Sequence, residues 1–119
     1  MLTSDEARAF AECWISSWNH RDIERVLEYF DDDVEVISPW MVMVLEEPSG
    51  ILRGKELARK YWTNALDRIP DLNFKMLDLL VGVNSLVIYY KGVLGKVGAG
   101  VFFFDENKKV VKAVAHYNE

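Results

Sequence analysis

The stretch NFKMLDLLVGVNSLVIYYKGVLGKVGAGVFFFDENKKVVKAVAHY, residues 73–117, decides the fold. Its apolar runs are short, rich in Val, Ile, Phe and Tyr, and separated by Gly, Asn and Asp, which is the pattern of strands joined by turns. Four strands are expected, at 73–81, 85–91, about 96–104 and 109–117. The connections at 82–84, 92–95 and 105–108 suit consecutive hairpins, and consecutive hairpins make an antiparallel meander. Alternation puts Leu86, Ile88 and Tyr90 on one face, and Phe102 and Phe104 on one face with Gly98 and Gly100. Glycines inside a strand weaken a sheet and are tolerated where a bend, a close backbone approach or a cavity is needed.

Working back towards the N-terminus, the period changes to that of helices. Thr3 with Glu6 forms a capping box, and Ala7, Phe10, Ala11, Trp14 and Trp18 follow on one face of a first helix. Residues 19–22 interrupt it, and Asp22 caps a second, short helix striped by Ile23, Val26, Leu27 and Phe30. Asp31, Asp32 and Asp33 read as a solvated turn before a strand at 34–38, which Pro39 stops. A second extended stretch is expected at 40–45, then a turn-rich segment at 46–54. A third helix, about 55–68, carries Leu57, Ala58, Tyr61, Trp62, Ala65 and Leu66 on one face, with Pro70 beyond its end. Neither a linker nor a repeat divides residues 1–119, so one α+β domain is expected, with helices against one face of the sheet.

Composition narrows the function. The chain has 119 residues, half of them hydrophobic and 28% charged, enough for one core. A net charge of −5 makes nucleic acid and anionic membrane poor partners. A single cysteine, Cys13, excludes an intrachain disulfide; no apolar run nears the roughly 20 residues that span a bilayer, and Asp5, Glu6 and Arg8 do not suit a signal peptide, so a cytoplasmic location is expected. Phosphate-binding glycine motifs are absent. His20 and His116 are far apart and have no zinc-ligand spacing, and the acidic run from Asp31 fails as a calcium loop because Val36 stands where glycine is required. No metal and no cofactor are expected.

The segments WISSWNHRDIERVLEYFDDDVEVISP (14–39), GKELARKYW (54–62), PDLNF (70–74) and FFFDENKKVVKAVAHY (102–117) resemble, in order and spacing, the SnoaL-like branch of the nuclear transport factor 2-like superfamily. The resemblance implies a cystatin-like cone in which three helices from the N-terminal half pack in a curved, mostly antiparallel sheet around an apolar cavity. It also implies a homodimer through the sheet's outer face. The superfamily includes isomerases, cyclases, dehydratases and proteins with no known reaction, so the fold does not choose among them. Positions matching the ketosteroid isomerase oxyanion donors and general base are Trp14, Gly100 and Ser38, and none of these side chains can do that work.

The expected function is therefore a cone that binds a small apolar or aromatic molecule in a space of at least a few hundred Å3. Its ligand-binding residues are expected to be Trp14, Trp18, Phe30, Ser38, Trp62, Ile88, Tyr90, Phe102 and Tyr117. The alternative is an isomerase, cyclase or dehydratase using Asp78, which interrupts the apolar run MLDLL, or His116. Strand parity favours Tyr117 inside the cone and His116 outside it. A third possibility is an interaction module, with the cone filled by its own aromatics and the sheet face binding another protein.

Overall fold

In the computed structural model, residues 1–44, 47–92 and 95–118 are described, side chains 43 and 44 excepted. Helix α1 (Ser4–Asn19) starts at the expected capping box: Glu6 N–H donates to Thr3 Oγ1 at 3.1 Å, and Thr3 N–H to Glu6 Oε1 at 3.0 Å. Helix α2 (Ile23–Leu27) is capped by Asp22, which accepts from Arg25 N–H at 3.2 Å. Strand β1 (Phe30–Ile37), the single turn α3 (Met41–Val44), strand β2 (Ile51–Arg53) and helix α4 (Lys55–Arg68) follow. The chain then runs through β3 (Lys75–Val81), β4 (Ser85–Lys91), β5 (Val97–Phe104) and β6 (Val110–Tyr117).

One six-stranded sheet results, in the order β2-β1-β6-β5-β4-β3. Every pairing is antiparallel except β1 with β6, which is parallel and sets Val36 opposite Ala113. The expected meander is β3 to β6; residues 93 and 94 of its 92–95 loop lie outside the described residues. Helices α1 and α4 bury Ala7, Phe10, Trp14 and Trp18, and Ala58, Tyr61, Trp62 and Leu66, against the concave face. Leu57, assigned to that stripe by spacing, is 48% exposed instead.

Four local expectations are corrected. Phe30 opens β1 rather than closing α2: it pairs with Val110, whose N–H donates to Tyr29 O at 2.8 Å, so the strand partner captures it. Asp31, Asp32 and Asp33 consequently lie in an irregular strand segment, where the β1–β6 register shifts between Phe30 and Glu35. The stretch from residue 40 is not extended: Met41 N–H donates to Ser38 O at 3.2 Å and α3 follows, with Leu45 outside the described residues. Within the segment read as turns, Ile51–Arg53 pairs with β1 as an edge strand.

The remaining correction concerns strand parity. In β3 the register against β4 slips between Met76 and Asp78, so Met76 and Leu79 share the core face although three residues apart. Asp78, which strict alternation would place on the face of Met76, is exposed and accepts from the N–H of its neighbour Leu79 at 2.8 Å. Such a bulge turns the downstream side chains over.

Candidate functional site

Aromatic side chains from α1, α4 and the strands meet at one end of the concave face. Trp14 and Trp18 follow each other on α1 with ring centroids 6.2 Å apart; Trp14 stacks on Phe74 at 5.4 Å, and Trp18 meets the edge of Trp62 at 5.5 Å. Phe74 is held by Asn19 at the end of α1, whose side-chain amide donates to Phe74 O at 2.9 Å and accepts from Phe74 N–H at 2.6 Å. The far end of α4 is fixed by Arg21, which donates to Leu66 O at 2.5 Å and to Pro70 O at 3.1 Å. Both contacts satisfy groups that a helix end or a strand lead-in would leave open.

These walls enclose a cavity of about 90 Å3. The volume is smaller than the sequence-based expectation and falls below the range of about 300–1,000 Å3 usual for small-molecule sites. Trp40, which follows the strand-ending Pro39, stacks on Tyr117 with centroids 4.9 Å apart and planes 22° apart. The pair, with Phe74 and Tyr90, lines both the main cavity and a smaller one of about 20 Å3.

Of the expected ligand-binding residues, Trp14, Trp18, Ser38, Trp62, Tyr90, Phe102 and Tyr117 line the cavity. Phe30 and Ile88 do not; both are core residues, Phe30 lying behind Trp62 at 5.2 Å. Gly100 also lines it, so all three positions matching the isomerase machinery face the cavity, as Trp, Ser and Gly. The candidate catalytic residues are elsewhere. Asp78 is exposed and off the cavity, and His116 is exposed with Nδ1 3.3 Å from Ala99 O. Arg53 is exposed and forms an ion pair at 2.6 Å with the partly buried Glu35. Cys13 is half-buried on α1, with Sγ 3.6 Å from Ser17 Oγ. Among the described residues, no group of three His, Cys, Asp or Glu side chains could hold a metal ion.

Sequence reasoning missed a cluster of hydroxyl groups. Ser38 Oγ and Tyr61 OH are 2.9 Å apart, and Ser38 Oγ also accepts from Trp40 N–H at 3.3 Å. Tyr117 adds its hydroxyl beside Ser38 and Tyr90, each of which bears on its acidity. Burial pushes Tyr61, Tyr90 and Tyr117 above the ordinary phenol range, so all three stay protonated at neutral pH. Tyr61 reaches Ser38 from α4 and Tyr117 comes beside β1 on β6 through the parallel β1–β6 pairing, long-range relations that no local pattern encodes. Near this cluster the indole Nε1 of cavity-lining Trp18 is buried without a hydrogen-bond partner.

The glycines of β5 shape the same wall. A Cβ on Gly98 would lie 2.8 Å from the Tyr90 ring, and one on Gly100 2.9 Å from the Phe102 ring. Each ring lies against a glycine where a side chain would otherwise stand, which is the close approach that glycine in a strand permits.

With fold and cavity defined, the comparisons are direct. The SnoaL-like domain matches residues 9–116, and the chain belongs to that family. A SnoaL-like protein of unknown function from Burkholderia thailandensis E264 is 42% identical over 99% of this chain and 98% of its own, with a TM-score of 0.93. A putative ketosteroid isomerase from Kribbella flavida DSM 17836 shares the fold at 20% identity, 97% and 79% coverage and TM-score 0.72. TerC, co-crystallized with polyporic acid, shares it at 12% identity, 94% and 91% coverage and TM-score 0.75. No curated protein is significantly similar to the chain.

Proposed function

We propose that this protein binds a small apolar or aromatic molecule inside the cone. The observation that carries the reading is the unpartnered indole N–H of Trp18 in a cavity wall. A cone closed solely by its own side chains satisfies its buried polar groups, whereas a binding site leaves some for its ligand. Room for a ring requires a cavity-lining side chain to turn outward, and Trp40, which lines both cavities, is the candidate. That the fold of TerC was co-crystallized with polyporic acid supports a cone of this kind taking a small molecule. A cytoplasmic location, where the free Cys13 stays reduced, accords with this role.

Tryptophan fluorescence tests it. Titration with acetophenone should quench or shift the emission, and Trp14→Phe or Trp62→Phe should reduce the response. An unchanged spectrum in both the wild type and Trp40→Ala counts against the binding role. Ketosteroid isomerisation should be undetectable, because Trp14, Ser38 and Gly100 provide neither base nor oxyanion donors, and loss of one such donor costs roughly 100-fold or more in rate.

A second reading, self-association through the outer sheet face, is favoured by Leu80, Tyr89 and Phe103, which are 54%, 41% and 40% exposed there. Two-fold pairing would cover this apolar face with a self-complementary patch, His116 included. Sedimentation as a monomer at about 50 μM would remove that reading, since standard interfaces of this kind hold well below such concentrations.

A further inference from the structure

Asp78 and His116, which the cone leaves outside, lie in one row across the sheet's outer face. Pairing sets Asp78 of β3 opposite Tyr89 of β4, Tyr89 opposite Ala99 of β5, and Ala99 opposite His116 of β6. The next row is apolar across all six strands: Leu80, Val87, Val101, Val114, Ile37 and Ile51. Beyond it stand Ser85 and Phe103, then Lys112, Glu35 and Arg53. Lys112 and Arg53 both pair with Glu35, so that side of the face meets its own charges. Asp78 and His116 have only backbone partners among the described residues, Leu79 N–H and Ala99 O.

When two copies of a sheet face each other, their two-fold axis lies in the plane between them. An axis parallel to the strands then lays each row on itself, end for end. With the axis between β4 and β5, Tyr89 meets the partner's Ala99, Phe103 the partner's Ser85, Leu80 the partner's Val114, and Asp78 the partner's His116. The two rings thus each meet a small residue, and the acid meets a base. Moved by half a strand spacing, the axis would set either Phe103 or Tyr89 on its own copy, and Asp78 would face no cation. Asp78 and His116, with a hydrogen bond between them, span about the 10 Å that separates packed sheets.

We propose that two copies of the chain pair about an axis between β4 and β5, held in register by two symmetric ion pairs, Asp78 of each copy with His116 of the other. This rests on the self-association reading above and specifies how the copies meet. With His116 Nδ1 at Ala99 O, Nε2 is left for the partner's carboxylate, and the pair is ionic when the imidazole carries both protons. On the same face Asp78 has Tyr89 opposite it, and Lys75 and Lys91 in the neighbouring row. Around His116, β5 presents Val97, Ala99 and Val101, β1 ends at Ile37, and Lys112 lies four residues back on β6. Association should therefore be tighter below the usual histidine range, about pH 6.5, and weaken above it.

Sedimentation equilibrium of the full chain at about pH 5.5 and about pH 8, either side of that range, tests the register. Both pairs are lost together, so the wild type should dissociate about tenfold more readily at the higher pH. Repulsion between chains of net charge −5 also falls on acidification, so the decisive variant is Asp78→His. It sets imidazole against imidazole and should reverse the pH dependence. Adding His116→Asp to it exchanges the two partners and should restore the wild-type profile. A dissociation constant equal at both pH values, or a pH dependence that Asp78→His leaves unchanged, overturns this register and leaves self-association standing. A wild type that is monomeric at about 50 μM at both pH values overturns the register and the self-association reading together.

Discussion

The two halves of the cone are built from the same elements and packed in opposite ways. At one end Phe10 of α1 makes edge contacts with Tyr29, Phe102 and Phe104, each at 5.1 Å, and Phe10, Phe30 and Val110 are almost wholly buried. Towards the other, α1 presents Trp14 and Trp18, while β5 narrows to Gly100 and Gly98 and β6 to Ala113 and Ala115. Bulk thus declines along the strands as it rises along the helix. The first end satisfies itself with apolar contacts, whereas the second retains empty space, hydroxyl groups and an unpartnered N–H. The packed end and the cavity end are separated along one helix by a single turn, from Phe10 to Trp14.

The largest test of that separation is Phe10→Ala, which removes the centre of the closed end. It should lower unfolding free energy by about 3–5 kcal/mol in a denaturant titration; a loss below about 1 kcal/mol would show that this end is not the core that carries the fold. Gly98→Ala probes the boundary. Its new Cβ meets the Tyr90 ring at 2.8 Å, so the variant should be about 1–3 kcal/mol less stable and should displace Tyr90. If its stability is unchanged, the glycine is not what seats the ring.

Trp40→Ala should behave differently from both. Trp40 is half-buried and lines both cavities, so its removal should cost less stability than Phe10→Ala and should increase the binding of ring probes by enlarging the space. Reduced probe binding would make Trp40 part of the site rather than its obstruction.

The smallest effect concerns the outer surface of the closed end. Glu6, hydrogen-bonded by Lys108 and by Thr3, has its carboxyl pKa held down at about 2 from 4.5. A depressed folded-state pKa contributes stability that is present above pH 4.5 and is lost as pH falls towards 2. Glu6→Gln should therefore remove a small part of the acid sensitivity in that window and nothing at pH 7 beyond the ion pair itself. An identical acid transition in the variant would contradict the assignment.

Legibility in the sequence divides along physical lines. Caps and periods are local, so the Thr3–Glu6 box, the Asp22 cap and the meander hairpins could be read directly, and the inward parity of Leu86, Tyr90 and Tyr117 followed. The β3 bulge could not be read, because MLDLL supports either face and only pairing with β4 chooses; that choice sends Asp78 outwards. The MVMV run after Trp40 is likewise ambiguous between strand and helix, and contacts around Ser38 settle it as a turn. Seven cavity-lining residues were recoverable as aromatics or as positions matching a family pattern. The hydroxyl relation among Ser38, Tyr61 and Tyr117 was not, since it joins three elements through a long-range parallel pairing.

That pairing also bears on synthesis. Strand β6, the last of the six in chain order, lies between β1 and β5. While a ribosome is still producing residues 110–117, β1 and β2 have no link to the rest of the sheet, and the inner edges of β1 and β5 both stand open. Until β6 emerges the nascent chain holds two unsealed sheet fragments, so closure of the sheet is expected only once residues 110–117 are free to pair, and until then the open edges are exposed to pairing with other chains.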